Sequence, residues 1–326
     1  MAFLKPFIAF PIDIQAYFPY VDRTDTFNIL HLRYLPAIDN RMIIIDAHIH
    51  FSRIASFQDT ALRESGCDYS LTGLQAALAL NNIRAAVGMG LQETSLFGFP
   101  DAAASNPMEL DLSDSWPEQL FFCPGINPHD LSDNSLEKIE KALQNPRTVG
   151  IKLYPGYYPF SVNDQIYTPI YELAAQFHLP VVMHSGDTFS ERGLLKYSHP
   201  LAIDELAVTH RQNIFVIAHL GDPWVKETAE IVRKNPNVWT DISGLLVGSR
   251  VYLQDAGREP LILNEFRHAL MYAASWDKIL FGTDWPLAPM DVYLDFVERI
   301  VPEKHLENVL GKNALNIFTK ILMVSH

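Results

Sequence analysis

Two histidines, His48 and His50, close an apolar run that begins at Met42. In a β-strand, side chains two residues apart lie on the same face, so both imidazoles would point the same way. Two imidazoles on one face can bind one metal ion. A His-x-His pair alone is weak evidence, because such pairs also occur by chance. The metal-site hypothesis therefore depends on which residues end the other apolar runs.

Other short apolar runs end in residues of the same chemical type. Runs beginning at residues 181 and 214 end in histidines, a run beginning at residue 279 ends in an aspartate, and a run beginning at residue 148 ends in a lysine. Near-continuous apolar runs of this length are typical of strands that are buried on both faces of a parallel sheet. The residues that end the predicted strands are His48, His50, Lys152, His184, His219 and Asp284.

Strands and helices alternate along the chain from Met42 onward. The predicted strands start near residues 43, 85, 120, 148, 181, 214, 238 and 278, and the intervals between them fit βα units. In a (β/α)8 barrel, or TIM barrel, side chains at the carboxyl ends of parallel strands converge on one site. The sequence therefore predicts an α/β fold of this class, with a metal site at the carboxyl ends of the strands.

Residues 1–41 have a different character from the rest of the chain. They are rich in Phe, Tyr, Pro and Ile without a sustained period, and Lys5 and Pro6 interrupt them before a secretory apolar region develops. Met42 lies immediately before the first strand. We interpret residues 1–41 as an N-terminal extension that need not belong to the barrel, and residues 42–326 as the metal-dependent barrel.

The segments between the strands contain predicted helices and three long loops. Leu71–Leu80 is expected to be helical with Ser70 as its N-cap, and further helices are predicted at 135–143, 169–177, 261–273, 290–300 and 303–318, with another ending at Lys234. The long segment 91–117 is a candidate lid, and the aromatic loop 154–160 a candidate pocket wall. The loops at 91–117, 154–165 and 245–260 are expected to select the substrate.

Composition excludes several classes of partner. The formal charge of −13 disfavours nucleic acid and anionic membrane surfaces, which attract basic patches. The longest apolar runs fall short of the roughly 20 residues of a membrane span. Cys67 and Cys123 are far apart and lack metal-site spacing, so a reducing, cytoplasmic compartment is the simpler expectation.

The residue types match a zinc enzyme. Imidazoles and a carboxylate suit Zn²⁺, and a catalytic site must leave one position open for water. Asp284 is a candidate proton acceptor, and His219 is placed to stabilise a polarised carbonyl group. Lys152 has three readings: a carbamate that bridges two metals, a cation that binds a substrate carboxylate, or a structural lysine whose stem packs and whose head pairs.

Several short sequence segments of the chain resemble those of the amidohydrolase superfamily. They lie at residues 46–51, 150–155, 180–186, 218–221, 282–286 and 313–314. The likeness covers residues 42 to about 318 and is greatest to the branch that includes aminocarboxymuconate-semialdehyde decarboxylase, benzoate-type decarboxylases and lactone hydrolases. It implies a barrel that binds one or two divalent metals at the ends of strands 1, 4, 5, 6 and 8.

Within that branch the resemblance implies one metal, with Lys152 and His219 facing the substrate. Zn²⁺ is expected, with Mn²⁺ as an alternative, and two metals on a carbamylated Lys152 as another. The implied ligands are His48, His50, His184 and Asp284.

The expected activity is hydrolysis of a small cyclic or carboxylated compound, such as a lactone or an amide. Non-oxidative decarboxylation of an unsaturated or aromatic acid is the alternative, because the branch contains both chemistries. A barrel that binds a ligand without chemistry is disfavoured, because every ligand position is filled. The expected partner is a small-molecule substrate, and assembly as a homo-oligomer is left open.

Overall fold

The computed structural model describes residues 42–51, 55–91, 117–248 and 257–324. Residues 42–326 form one compact unit. Their fold is built on eight short strands, each of which begins within three residues of its predicted start. The strands are β1 (Ile44–Ile49), β2 (Ile83–Met89), β3 (Leu120–Cys123), β4 (Ile151–Leu153), β5 (Val181–Met183), β6 (Phe215–Ile217), β7 (Val238–Asp241) and β8 (Ile279–Leu280).

The strands form two parallel sheets with the orders β1-β2-β3 and β4-β5-β6-β7-β8. Isolated parallel bridges join the sheets at both edges: Phe122 pairs with Thr148 between β3 and β4, and Ile49 pairs with Trp285 between β1 and the residues after β8. The backbone N–H of Ala47 also donates to the carbonyl oxygen of Phe281 at 2.8 Å. The prediction of a (β/α)8 barrel is confirmed.

Side chains alternate between the barrel interior and the outer helical layer. In β5, Val181 and Met183 pack outward among residues of the helices, whereas Val182 packs inward. In β4, Ile151 and Leu153 likewise pack outward. The two-residue period of a strand then directs Lys152, which is fully buried, to the interior.

Helices separate most successive strands. Leu71–Leu80 has its predicted bounds, and Ser70 caps it by accepting a hydrogen bond from the backbone N–H of Gly73 at 2.9 Å. The candidate lid lies, for residues 92–116, outside the described residues, as does 249–256 of the third substrate loop. The helices are α1 (Ala55–Thr60), α2 (Leu71–Leu80), α3 (Asp133–Leu143), α4 (Thr168–Phe177), α5 (Leu195–Ser198), α6 (Leu201–Thr209), α7 (Val225–Lys234), α8 (Glu259–Ala273), α9 (Met290–Ile300), α10 (Glu303–Glu307), α11 (Asn313–Ile317) and α12 (Lys320–Val324).

The predicted continuous helix over 303–318 is interrupted. Asn308–Lys312 forms a π-helical turn between α10 and α11. Gly311 lies within it, where an added Cβ would stand 2.0 Å from the carbonyl oxygen of Ile43. The close approach of the chain before β1 explains why glycine is needed here, and a local change of helical pitch is the usual response to such crowding.

Asn313 connects the start of α11 to β8. Its side-chain Nδ2 donates to the carbonyl oxygens of Trp276 and Ile279, both at 2.7 Å, and the residue is 2% exposed. We expect Asn313→Ala to lower the free energy of unfolding by about 1–3 kcal/mol, because buried carbonyls lose their donor. Urea denaturation measures the change. The matched control is Asn316→Ala, an exposed position on the same helix, which should change stability by less than about 0.5 kcal/mol.

Residues 1–41 lie outside the described residues, and their relation to the barrel stays a prediction. The candidate site residues all follow Met42, so we expect a chain that begins at Met42 to fold and to bind metal like the full chain. Circular dichroism, thermal unfolding and metal titration of the two forms test this. A shortened chain that fails to fold or to bind metal would show that the extension covers apolar surface of the barrel.

Among the described helices, none combines the length and the apolar character needed to cross a membrane.

Candidate metal centre

His48 lies near the end of β1 and is held by a carboxylate from β7. Its Nδ1 is 2.9 Å from Oδ2 of Asp241, and both residues are almost completely buried. Its Nε2 lies 3.5 Å from Nζ of Lys152 and 3.6 Å from Oδ1 of Asp284. A carboxylate on one imidazole nitrogen orients the ring so that the other nitrogen faces the site.

His50 and Asp284 meet at the mouth of the barrel. The Nε2 of His50 is 3.2 Å from Oδ1 of Asp284, so both histidines of the His-x-His pair approach the same oxygen atom. Asp284 has a backbone φ of 59°, and its N–H donates to the carbonyl oxygen of His48 at 2.8 Å. A non-glycine residue in this left-handed region is uncommon and occurs mostly at turns and functional sites.

His219 follows β6, also with positive φ (60°). Its backbone N–H donates to Oδ1 of Asp241 at 3.0 Å, and its ring Nδ1 lies 2.9 Å from the hydroxyl of Ser243. Gly244, with φ 66°, passes so close that an added Cβ would be 2.8 Å from Nδ1 of His219 and 3.1 Å from Oδ2 of Asp284. The loop after β7 therefore packs directly against the His219 ring.

His184 follows β5 and stands at the edge of the cluster. Its ring centroid is 5.1 Å from that of His219 and 4.7 Å from that of Tyr157. Its Nε2 is 3.0 Å from the carbonyl oxygen of Asp187, which can only accept a hydrogen bond. If Nε2 donates to this oxygen, Nδ1 keeps the lone pair that a metal would need.

Lys152 is a buried cation inside the barrel. Its Nζ lies 3.5 Å from Nε2 of His48 and 5.1 Å from the centre of the Tyr154 ring. Burial lowers the pKa of its amine to about 8, while the carboxylates of Asp241 and Asp284 act in the opposite direction. The amine is therefore mostly protonated at pH 7, which suits the binding of an anionic group.

Asp46 joins β1 to the segment that carries Asp284. Its carboxylate accepts from the backbone N–H of Thr283 at 3.0 Å, from the Thr283 hydroxyl at 2.7 Å and from the backbone N–H of His48 at 3.2 Å. Burial raises the pKa of this carboxyl to about 7, although these hydrogen bonds act against the rise. Asp46 thereby couples the positions of His48 and Asp284.

The imidazoles of His48, His184 and His219 are neutral, and the carboxyls of Asp241 and Asp284 are ionised, at pH 7. Burial, followed by the charge of Lys152, lowers the pKa of His48 to about 3, and burial lowers the pKa of His184 and of His219 below the ordinary value. Burial alone would raise the pKa of Asp241 and of Asp284, but the neighbouring histidines hold both well below the usual range. Metal ligands must be deprotonated, so this state needs no proton release.

Four aromatic side chains pack together beside the histidine cluster. We call this group the aromatic wall: Phe57, Tyr154, Tyr157 and Tyr158. Phe57 has its ring centroid 5.3 Å from that of His50, and Tyr157 contacts His184. The Tyr154 hydroxyl donates to the carbonyl oxygen of Gly90 at 2.9 Å. These contacts are consistent with the predicted role of loop 154–160 as a pocket wall. Flat apolar rings next to the buried cation of Lys152 suit a planar anion.

The described residues fit a divalent metal. Ligand atoms of His48, His219 and Asp284 lie within 4.8 Å of one another. Oδ1 of Asp284 and Nδ1 of His50 are buried and make no well-formed hydrogen bond among the described residues, although Nε2 of His50 lies 3.2 Å from that oxygen. A buried carboxylate oxygen without a well-placed donor is costly unless a cation satisfies it. The soft imidazoles and the hard carboxylate together suit Zn²⁺.

The closest set of ligand atoms differs from the set expected from the sequence. The structure gathers all six strand-end residues around one site, but His219 is nearer to His48 and Asp284 than the sequence-based assignment implies. His50 contacts Asp284 directly, whereas the ring of His184 contacts that of His219. The expected ligands His48, His50, His184 and Asp284 therefore stay a prediction, with His219 as a competing ligand.

Sequence reasoning missed Asp241 and Ser243. Asp241 contacts His48 and the backbone of His219, and its Oδ1 also accepts hydrogen bonds from the backbone N–H and the hydroxyl of Ser243. The sequence did contain a signal for Asp241, because it is the last residue of β7. The candidate ligands likewise lie at the ends of their strands. Ser243 carries no comparable signal in the sequence.

Comparisons with known proteins cover most of residues 42–326. A sequence profile for the family described as Amidohydrolase matches residues 45–320. Among curated proteins, no sequence matches this chain.

Several solved structures are similar in fold. An uncharacterised TIM-barrel protein from Bordetella bronchiseptica has a TM-score of 0.61 at 19% identity, over 86% of this chain and 99% of that chain. A probable 2-pyrone-4,6-dicarboxylic acid hydrolase from Acinetobacter baumannii has a TM-score of 0.55 at 17% identity, over 85% and 100%. The 5-carboxyvanillate decarboxylase of Sphingomonas paucimobilis has a TM-score of 0.56 at 12% identity, over 85% and 99%.

Proposed function

The chain belongs to the amidohydrolase family, and on that premise we propose that it is a metal-dependent hydrolase of a small cyclic carboxylated compound, such as a lactone or an amide. The observation that carries the proposal is that ligand atoms of His48, His219 and Asp284 lie within 4.8 Å of one another, while the buried Oδ1 of Asp284 makes no well-formed hydrogen bond among the described residues. Such a site, with neutral imidazoles and an ionised carboxylate, combines metal ligands with a proton acceptor.

One Zn²⁺ is the metal we propose, with Mn²⁺ as an alternative. His48, His50, His184 and Asp284 would hold it. When bound, Zn²⁺ would lower the pKa of a water molecule towards neutrality and polarise a substrate carbonyl group. Asp241, 2.9 Å from Nδ1 of His48, supports this assignment because it presents Nε2 to the site.

The remaining side chains have separate tasks in this proposal. The carboxylate of Asp284 accepts the proton of the attacking water. His219 faces the substrate carbonyl group, where its Nε2, once protonated, donates to the oxygen on which negative charge develops. Lys152, buried and protonated beside Tyr154, binds a substrate carboxylate, and the aromatic wall packs against the ring that carries it.

The aromatic wall and the similar solved structures both support a cyclic carboxylate as the substrate. The names of two of them refer to cyclic carboxylates, 2-pyrone-4,6-dicarboxylic acid and 5-carboxyvanillate. The negative charge of the chain, −13, does not oppose an anionic substrate at a site whose buried cation is Lys152. We therefore expect the substrate to be small, planar and carboxylated.

The proposal is tested first by metal analysis and hydrolysis assays. The purified protein is analysed for Zn²⁺ and Mn²⁺, stripped with a chelator, and assayed on a panel of carboxylated lactones and amides before and after metal is restored. We expect metal-dependent hydrolysis of at least one member. Protein that neither retains metal nor gains activity from it on the whole panel would rule the proposal out.

Decarboxylation is the second candidate, because one of the similar structures is a decarboxylase. The same ligands and Lys152 could hold an unsaturated acid while its carboxylate leaves as CO2. Assays in ¹⁸O-labelled water separate the two reactions. Incorporation of one labelled oxygen into the product identifies hydrolysis, and release of CO2 from a ring that stays closed identifies the lyase.

The number of metals tests the role of Lys152. We expect one equivalent of metal per chain, and we expect Lys152→Met to retain it while weakening substrate binding, because methionine keeps the buried stem and removes the charge. Metal analysis and KM measure the two effects. Two equivalents, both lost in Lys152→Ala and partly recovered with a short carboxylic acid, would instead indicate a carbamate that bridges two ions.

A further inference from the structure

We propose that Asp241 and Ser243 are positioning residues that keep the ring proton of both His48 and His219 on Nδ1, so that Nε2 of each ring is the free basic nitrogen. The proposal concerns the protein's own hydrogen bonds. Its consequence for metal binding and catalysis rests on the proposed function.

The argument starts from the three donors on one oxygen of Asp241. Its Oδ1 accepts from the backbone N–H of His219 at 3.0 Å and from the backbone N–H of Ser243 at 3.1 Å, and a backbone N–H can only donate. The Ser243 hydroxyl also lies within hydrogen-bond distance of Oδ1. Three hydrogen-bond donors around one carboxylate oxygen strongly stabilise the ionised form of the group, which has no proton to give.

The direction of the Ser243 hydrogen bonds follows from that carboxylate. A hydroxyl has a single proton, and Ser243 donates it to Oδ1 of Asp241. Towards Nδ1 of His219, 2.9 Å away, the same oxygen can therefore only accept. The backbone carbonyl oxygen of Ser243, 3.2 Å from Nδ1, is a second acceptor there. Both contacts require that Nδ1 of His219 carries the proton.

The same reasoning applies to His48. Its Nδ1 is 2.9 Å from Oδ2 of Asp241, so this nitrogen must donate and Nε2 keeps the lone pair. Nε2 lies 3.5 Å from Nζ of Lys152, a group that can only donate. The contacts on both sides of the ring therefore agree on one tautomer.

Close packing keeps this arrangement in place. Ser243 and Asp241 are fully or almost fully buried. An added Cβ at Gly282 would stand 2.9 Å from Cβ of His48 and 3.0 Å from Cβ of Ser243, so the segments around β1, β7 and β8 leave little space. In the other tautomer, the lone pair of Nδ1 would face an acceptor oxygen, so that a buried polar contact would be unpaired and unfavourable.

Asp241→Asn gives the sharpest test. The three donors around Oδ1 require the amide oxygen at that position, so the amide NH2 must face Nδ1 of His48. A donor there moves the proton of His48 to Nε2, whereas His219 keeps its tautomer because Ser243 still has an acceptor. The corresponding change in a serine protease triad leaves the geometry intact and inverts the histidine in this way.

The readout is ¹⁵N NMR of imidazoles in metal-free protein labelled at histidine, with signals assigned through His48→Gln and His219→Gln. Wild type is expected to show the proton on Nδ1 of both rings, and Asp241→Asn to invert His48 alone. Ser243→Ala is expected to turn His219 into a mixture of tautomers, because only the backbone carbonyl remains, and to leave His48 unchanged.

The matched control is Thr240→Val on the same strand. The Thr240 hydroxyl donates to the carbonyl oxygen of Ile217 at 2.8 Å instead of contacting either ring, so both tautomers should persist. In addition, Asp241→Asn should lower Zn²⁺ affinity by about 10–100-fold, as expected when a group that orients a ligand is lost. Unchanged affinity would mean that the tautomer of His48 does not govern metal binding.

The wild-type spectrum alone can overturn the proposal, even if a variant fails to fold. A proton on Nε2 of either ring in the wild type, or an unchanged His48 in folded Asp241→Asn, would contradict it. These signals come from metal-free protein without substrate. An inactive protein with both tautomers as proposed would therefore count against the proposed function and not against the roles of Asp241 and Ser243.

Discussion

Asp284→Asn should lower turnover by at least about 100-fold, the usual scale for the loss of a general base. The amide has the shape of the carboxylate, and the backbone N–H that holds the position still donates to the carbonyl oxygen of His48. The fold and much of the metal affinity should therefore persist. An amide oxygen, however, does not accept a proton from water near neutral pH. Turnover is measured on the substrate that the wild type hydrolyses, with metal content determined in the same samples.

The control for this variant is Asp277→Asn, the same chemical change at an exposed position. It should leave both turnover and metal content at wild-type levels. Wild-type turnover in Asp284→Asn would remove Asp284 from the mechanism. Complete loss of metal, with the fold intact by circular dichroism, would show that this carboxylate acts mainly as a ligand.

His184→Ala should reduce metal affinity by more than the roughly 10–100-fold that accompanies loss of an orienting group, because in the proposed ligand set it removes a bond to the metal itself. His219→Ala should retain the metal and lose turnover, since the proposal leaves His219 to the substrate. Titration of metal-free protein with Zn²⁺, followed by turnover at saturating metal, measures both effects in each variant.

The comparison of these two histidines decides between two ligand sets. Among the described residues, ligand atoms of His219, His48 and Asp284 lie within 4.8 Å of one another. The Nε2 of His184 instead lies 3.0 Å from the carbonyl oxygen of Asp187. If His219→Ala loses the metal and His184→Ala retains it, the ligand set includes His219 and the assignment made from the sequence is wrong. A loss in both variants would indicate that the two histidines share the metal.

The strands of the barrel were predictable because their physical signal is local. A strand buried on both faces is a short apolar run, and here each run begins within three residues of its predicted start. Helix α9 was equally clear, with the predicted and observed bounds identical at Met290–Ile300. Its apolar residues Val292, Tyr293, Phe296 and Val297 are buried and recur with helical spacing.

Helix α6 (Leu201–Thr209) was not predicted, because its apolar residues do not follow a clear helical period. Ile203 and Leu206 are buried, but Leu201 is 59% exposed and Val208 is 43% exposed, so apolar residues occur on both sides of the helix. A single buried stripe cannot be read from such a sequence. The π-helical turn at Asn308–Lys312 was missed for another reason, since Gly311 within it lies against the backbone of Ile43, a residue far away in the sequence.

The sequence by itself determined which residues could do chemistry and at which edge of the fold they would meet. His48, His184, His219 and Asp284 follow or end apolar runs, and parallel strands bring their carboxyl ends together. Only the tertiary structure decided which atoms face one another. Asp241 contacts His48 across 193 positions of sequence, and Lys152 reaches the same ring across 104. Such contacts depend on closure of the barrel and on side-chain direction, and a local pattern of apolar residues contains neither.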